Sequence, residues 1–288
     1  IHFLTNFYFL RATIVIGRCE FLFALGLKPG DRNVQVAVIS DLHLGRKNKL
    51  DQFNRHPGAE AQLYQLLKYL ENHVDRIVLL GDVFETLRGP TLNQKKELKA
   101  ILKHYPLFTK KVLCNEKYVL VKGNHDLVTG EVLNAMEFLT IKENNTKIIF
   151  FHGHQLDPFV ADFWTKNFEK VGVWAGGWLE RAGIDITRGG NIRSKAKALN
   201  NKWKFGKFET AATLMGKRLG ADVIVTGHSH HPMKVEVGNH LFLNSGSRVC
   251  GRQDMIILDT DVGEYELYKK FNASSQSQGE PLIDMDLS

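Results

Sequence analysis

From Asn33 onward, short apolar runs alternate with amphipathic stretches, and each run stops abruptly at polar residues. The segment NVQVAVIS is apolar and β-branched and ends in DLHLG, the pattern of a buried strand feeding a loop. GAEAQLYQLLKYLEN then places Leu63, Leu66, Leu67 and Leu70 on one helical face. A second buried strand, RIVLLGD, precedes TLNQKKELKAILKHY, a helix with Leu98, Ile101 and Leu102 as its apolar stripe. YVLVKGNHD and TKIIFFHGHQLD read as a third and a fourth strand-to-loop unit. The rhythm is lost between Asp157 and Gly220, a stretch that reads as mainly helical, and it resumes in DVIVTGHSHHP. Short strands with tight turns follow, in MKVEV, HLFLNSG and MIILDTDVGEYELYKKF. The last residues, NASSQSQGEPLIDMDLS, have the Ser/Gln/Gly-rich composition that predicts a flexible tail. This order predicts an α/β fold in which strands and helices alternate first, a helical insertion follows and a β-rich part closes the chain. The boundaries drawn are an apolar N-terminal segment at 1–32, a core at 33–156 and 221–271, the insertion at 157–220 and the tail at 272–288.

Composition narrows this only a little. The chain of 288 residues is 43% hydrophobic and 24% charged, ordinary for a soluble globular protein of one large or two small domains. Cys19, Cys114 and Cys250 are an odd number without a CxxC pair, which argues against a disulfide framework or a thiolate zinc site. A reducing, cytoplasmic setting is the simplest expectation. Lys and Arg exceed Asp and Glu by 38 to 31, a net charge of +7 that permits phosphate-bearing partners without choosing among them. Residues 1–27 are rich in aromatic and aliphatic side chains, but Arg11, Arg18 and Glu20 interrupt them. The uninterrupted runs are shorter than the ~18 apolar residues of a spanning helix, and no basic start or small-residue cleavage site marks a signal peptide. Three readings stay open for this segment: an element packed on the domain, a peripheral membrane anchor, or an accident of where the chain starts.

Chemistry concentrates at the strand ends. Five apolar strands deliver Asp41 and His43 (DLH), Gly81 and Asp82 (GD), Gly123 to Asp126 (GNHD), His152 (HGH), and His228 with His230 (GHSH). Sites in open α/β sheets form outside the carboxyl ends of strands, so the five ends are expected to converge. Each motif alone is a common turn or loop; the set in this order is not a chance arrangement. Carboxylate, imidazole and amide ligands without thiolate suit Mn, Fe, Zn or Mg. Glycines 81, 123, 153 and 227 are expected to allow the sharp turns that let these side chains face one point.

The residues DLH, GD, GNHD, HGH and GHSH resemble the signature of the calcineurin-like metallophosphoesterases, and the resemblance covers Val34 to about Phe271. It implies a four-layer α-β-β-α sandwich and a site for two divalent metal ions, with Mn2+ first among Fe, Zn and Mg. It further implies that Asp41, His43 and His230 hold one metal, that Asn124, His152 and His228 hold the other, and that Asp82 bridges them. Two such ions roughly 3.5–4 Å apart clamp a phosphoryl group and activate a bridging hydroxide for in-line attack. His125 would then donate a proton to the leaving group or stabilise its charge, while Asp126 would orient His125 or a backbone turn. His154 is a candidate for substrate contact. His231, next to Pro232, reads as a bystander, and His56, His73, His104 and His240 read as structural.

The core motifs specify hydrolysis at phosphorus and no particular substrate. The insertion holds all four tryptophans, Trp164, Trp174, Trp178 and Trp203, and between Thr187 and Gly220 it carries nine basic residues against one acidic residue, Glu209. A lid enclosing an apolar chamber, a groove for nucleic acid with stacking aromatics, and a solvated basic helix all accommodate that composition. The order of parts, with RSKAKALNNK in the insertion, resembles the UDP-2,3-diacylglucosamine pyrophosphohydrolase branch of the family. That resemblance implies a lipid-linked nucleotide substrate and makes Arg193, Ser194, Asn200, Asn201 and Lys202 candidates for contacting it. The better-known enzymes of that branch have Arg at the position of His125, whereas this chain carries the more general GNHD, which keeps a phosphodiesterase, phosphatase or nuclease as the alternative.

Overall fold

The computed structural model describes residues 34–143, 146–156, 207–260 and 265–268. The N-terminal segment, most of the insertion and the tail therefore lie outside the described residues, as do the candidates Arg193, Ser194, Asn200, Asn201 and Lys202. The strands are β1 (Gln35–Ile39), β2 (Arg76–Leu80), β3 (Tyr118–Val121), β4 (Leu139–Glu143), β5 (Thr146–Phe150), β6 (Val223–Thr226), β7 (Met233–Val237), β8 (His240–Asn244), β9 (Met255–Asp259) and β10 (Tyr265–Tyr268). The helices are α1 (Ala59–His73), α2 (Gln94–His104), α3 (Pro106–Cys114), the short α4 (Thr129–Val132) and α5 (Lys207–Arg218). No helix among the described residues is long and apolar enough to cross a membrane.

The strands form two sheets, ordered β10-β9-β1-β2-β3 and β4-β5-β6-β8-β7. Within them β1, β2 and β3 run parallel to one another, and so do β5, β6 and β8. Alternation along each strand builds the layers. Val36 and Val38 of β1, Val78 and Leu80 of β2, Ile148 and Phe150 of β5 and Val223 and Val225 of β6 share one buried cluster between the sheets. Their neighbours Ala37, Ile39, Ile77 and Leu79 pack instead with Leu63, Leu66 and Leu70 of α1, Leu98 and Ile101 of α2, and Phe108 of α3. On the far side, Ile149, Ile224 and Phe242 meet Ala212 of α5. The order of layers is helix, sheet, sheet, helix. Strands buried on both faces explain why β1, β2 and β6 read as continuous apolar runs.

Three elements go beyond the sequence expectations, the single-turn α4, β4 and α3. β4 pairs antiparallel with β5, from Leu139 opposite Phe150 to Glu143 opposite Thr146. Its sequence LTIKE is too short and mixed to stand out alone. α3 begins at Pro106, whose missing N–H suits a first helical turn and disfavours helix at Tyr105, so α2 stops and a separate helix starts. α2 opens at Asn93, whose side chain accepts from the Lys96 N–H at 3.0 Å.

Candidate metal centre

The predicted strand ends do converge, and they come from both sheets of the sandwich that the resemblance implied. β1, β2 and β3 bring Asp41 with His43, Asp82, and Asn124 with His125; β5 and β6 bring His152, and His228 with His230. Three groups have ligand atoms within 4.8 Å of one another: Asp41, His43 and His230; His43, Asp82 and His125; and Asp82, His152 and His228. Asp82 belongs to two of them, which is the geometry of a shared carboxylate. Asn124 is buried between Gly123, which sits against Asp82, and His125, whose backbone N–H donates to Asp82 Oδ1 at 2.8 Å. His231 falls in none of the three groups.

The backbone is strained where the ligands are. Asp41 (φ 53°), His43 (φ 49°), Asp82 (φ 50°), His228 (φ 67°) and His230 (φ 58°) all occupy the left-handed region. For non-glycine residues this costs about 1 kcal/mol or more each, and it persists at sites where the surroundings over-determine it. The glycines contribute differently from one another. Gly81 and Gly153 have positive φ, as turns require. Gly123 and Gly227 do not; a Cβ on Gly123 would lie 2.1 Å from Asp82 Oδ1, and one on Gly227 would lie 2.5 Å from Ser40 Oγ. At those two positions the side chain is absent to let a carboxylate approach the backbone.

Hydrogen bonds fix which atoms face inward. His152 Nδ1 donates to the Leu80 carbonyl at 2.9 Å, and His43 Nδ1 to Glu85 Oε2 at 3.1 Å. Each ring thereby presents Nε2 to the cluster. His152 Nε2 lies 3.2 Å from Asp82 Oδ2, and His230 Nε2 lies 3.0 Å from Asp41 Oδ1. Asp41 Oδ1, His43 Nε2 and His152 Nε2 are buried with no hydrogen-bond partner among the described residues. Buried oxygen and imidazole nitrogen atoms of this kind, gathered in one place with no sulfur, fit a divalent cation.

The electrostatics follow from packing carboxylates against imidazoles. Burial opposes ionisation of Asp82, but the charges of His152 and His125 outweigh it and hold the carboxyl well below its ordinary range. Asp41 is likewise held at about 2, against burial, by His230 and His152. Conversely, burial alone would lower His152, yet Asp82 and Asp41 raise it to about 10. His125 is raised to about 9, again against burial, chiefly by Glu85 and Asp82. Asp126 is pushed up to about 7 by burial and by Asp82. It accepts from the N–H groups of Gly123 (2.6 Å), Val83 (2.8 Å) and Phe84 (3.2 Å), so it fixes the turns after β2 and β3 and does not hold the His125 ring.

The group that does hold the ring is Glu85, which sequence reasoning missed. Its buried carboxylate accepts from His125 Nδ1 at 2.9 Å and from His43 Nδ1 at 3.1 Å. Its position three residues beyond Asp82 in GDVFE was the available signal. His154 is buried beside His152, with ring centroids 5.7 Å apart, and its Nε2 lies 3.9 Å from Glu137 Oε1. Phe208, the second residue of α5, was also missed; it lies against Gly153 and 6.1 Å from the His228 ring. His73 and His240 donate Nδ1 to the carbonyls of Tyr69 and Ala221, structural bonds away from the cluster.

Residues 34–232 match the family model described as calcineurin-like phosphoesterase. No curated protein matches the chain. Among solved structures, it is similar to a predicted phosphoesterase from Streptococcus pneumoniae TIGR4, with 18% identity over 85% of this chain and 92% of that one and a TM-score of 0.40. It is also similar to Vps29 from Entamoeba histolytica, with 20% identity, 82% and 91% coverage and a TM-score of 0.41. A novel archaeal phosphodiesterase shows 15% identity, 82% and 99% coverage and a TM-score of 0.38. With the family model spanning well over half of the sequence and a divalent-cation site assembled from its motifs, the chain belongs to the calcineurin-like phosphoesterase family and is a metal-dependent phosphoesterase.

Proposed function

We propose that the site holds two divalent cations, preferably Mn2+, and cleaves the pyrophosphate bond of a lipid-linked nucleotide resembling UDP-diacylglucosamine. Asp41, His43 and His230 hold one cation, Asn124, His152 and His228 the other, and Asp82 both. When bound, the cations supply Lewis-acid activation of water and neutralise charge at phosphorus. The chain's own residues do the rest. With Nδ1 donating to Glu85 and the ring held protonated, against burial, by Glu85 and Asp82, which raise it to about 9, His125 presents Nε2–H, the proton a leaving oxygen needs. Asp126 holds the turn that carries His125, so the donor is positioned before substrate arrives. The single observation that carries the phosphoester reading is the position of Asp82, within ligand distance of His43 in its own sheet and of His152 and His228 in the other. The lipid-nucleotide reading is supported by the tryptophan-rich, basic stretch at 157–220, with Arg193, Ser194, Asn200, Asn201, Lys202 and His154 as substrate contacts and peripheral membrane association as its setting.

A second reading, a general phosphodiesterase, phosphatase or nuclease, is favoured by one observation, the GNHD motif with His125 at the centre. A panel with Mn2+ separates the two: a nitrophenyl monoester, a bis-nitrophenyl diester, single-stranded DNA and UDP-diacylglucosamine. UMP release from the last substrate alone is expected. Cleavage of DNA with indifference to the lipid would sink the lipid reading.

A further inference from the structure

Asp41 has two carboxylate oxygens in very different surroundings. Oδ1 is buried without a hydrogen-bond partner and lies among the imidazoles. Oδ2 is held twice, by Ser40 Oγ at 2.5 Å and by the backbone N–H of His228 at 3.0 Å. Ser40 Oγ also lies 2.8 Å from Ser245 Oγ and 3.0 Å from the Gly246 carbonyl. Ser245 in turn reaches the Thr226 carbonyl at 3.2 Å. Ser40, Asp41, Thr226 and Ser245 are each at most 1% exposed, so water does not compete for these bonds.

Each serine has one proton, and this decides the direction of the chain. The shortest contact of Ser40 is to a charged acceptor, so its proton belongs to Asp41 Oδ2. Ser40 then has no proton left for the 2.8 Å contact between the serines, so we assign the Ser245 proton to that shorter contact in preference to the Thr226 carbonyl at 3.2 Å. The order is Ser245 to Ser40 to Asp41, and each donation polarises the next. Ser245 follows β8 in the second sheet, whereas Ser40 follows β1 in the first. Gly227 closes around the junction, where a Cβ would meet Ser40 Oγ at 2.5 Å and Asp41 Oδ2 at 2.7 Å.

We propose that Ser40 and Ser245 form a hydroxyl relay that locks Asp41 Oδ2 and so presents Oδ1 to the cation held by Asp41, His43 and His230. Both serines are positioning residues for metal binding, and they tie this cation's affinity to the distance between the two sheets. The relay rests on the two-cation reading of the site.

The test is calorimetric titration of metal-stripped protein with Mn2+, alongside thermal unfolding without metal. Wild type is expected to bind two equivalents and Asp41→Ala to lose one. Ser40→Ala should weaken one equivalent about 10–100-fold and leave the other within a few-fold, the size expected for removing a partner of a ligand. Ser245→Ala should weaken the same equivalent by less, and the double variant should bind like Ser40→Ala alone, because the two act in series. Ser40→Cys, a near-isostere with a weaker donor, should fall between wild type and Ser40→Ala. An unchanged isotherm for Ser40→Ala with a lowered unfolding temperature would mean a structural serine and overturn the relay. Full additivity of the two alanine variants would overturn its direction. Should Ser40→Ala fail to fold, Ser40→Cys and Ser245→Ala decide by the same isotherm. Failure of wild type to bind Mn2+ would instead remove the two-cation reading, and the relay with it.

Discussion

Glu85 accepts from two imidazoles at once, one on a residue that can ligate a metal and one on the residue placed to donate a proton. Its carboxyl is held below the ordinary range: burial opposes ionisation, and the charge and hydrogen bonds of His125 with those of His43 overcome it. An amide here would face a ring nitrogen with the wrong partner. Glu85→Gln should lower kcat about 10–100-fold, and more for substrates with poor leaving groups than for nitrophenyl esters. Comparing kcat across leaving groups checks this, and equal losses for all would assign Glu85 to His43 alone. At Gly123 the constraint is space. Gly123→Ala places a methyl against both the side chain and the backbone N of Asp82, and misplacing that carboxylate should cost about 100-fold in kcat/KM together with metal affinity. Steady-state kinetics and Mn2+ titration of the variant provide the measure.

At the scale of elements, six parallel strands end at the site and not the five read from the sequence. The sixth is β8, whose Asn244 donates Nδ2–H to the Gly227 carbonyl at 2.6 Å and whose Ser245 begins the relay. HLFLNSG repeats the rhythm of an apolar run stopping at polar residues, but a lone Asn followed by Ser and Gly reads as an ordinary turn. On the other side of the second sheet, α5 packs close to β6. A Cβ on Gly216 would lie 2.3 Å from Ile224 Cγ1, in a core already closed by Ala212 and Phe242. Gly216→Ala should therefore destabilise the protein by about 1–3 kcal/mol, although alanine favours helix, and thermal unfolding would register the drop. An unchanged transition would mean that α5 shifts freely over the sheet.

For the molecule as a whole, the candidate cation site joins two sheets that also meet through the apolar layer of Val36, Val38, Leu80, Phe150 and Val225. Ligands from both sheets make metal binding and folding one equilibrium. Mn2+ at 100 times its dissociation constant should stabilise the protein by about 2.7 kcal/mol per site, seen as a rise in unfolding temperature that chelation with EDTA reverses. Asp82→Ala should abolish both that rise and phosphoester hydrolysis, because the lost carboxylate is the one proposed to hold both cations and lies within reach of His43 and of His152 with His228.

The sequence by itself determined the α/β class, the strands whose ends carry the motifs and the residue types of the metal centre. Those are local facts: an apolar run that stops at Asp, His or Asn is visible without knowing what lies across from it. The two opposed sheets were already implied by the resemblance those motifs carry; tertiary structure alone decided that Glu85 serves two histidines, that Gly123 and Gly227 are bare for packing, and that Ser40 meets a serine 205 positions away. Each of these depends on distances between segments remote in the chain, which hydrophobic periodicity does not encode. A buried serine or glutamate has no pattern of its own until the group it faces is in place.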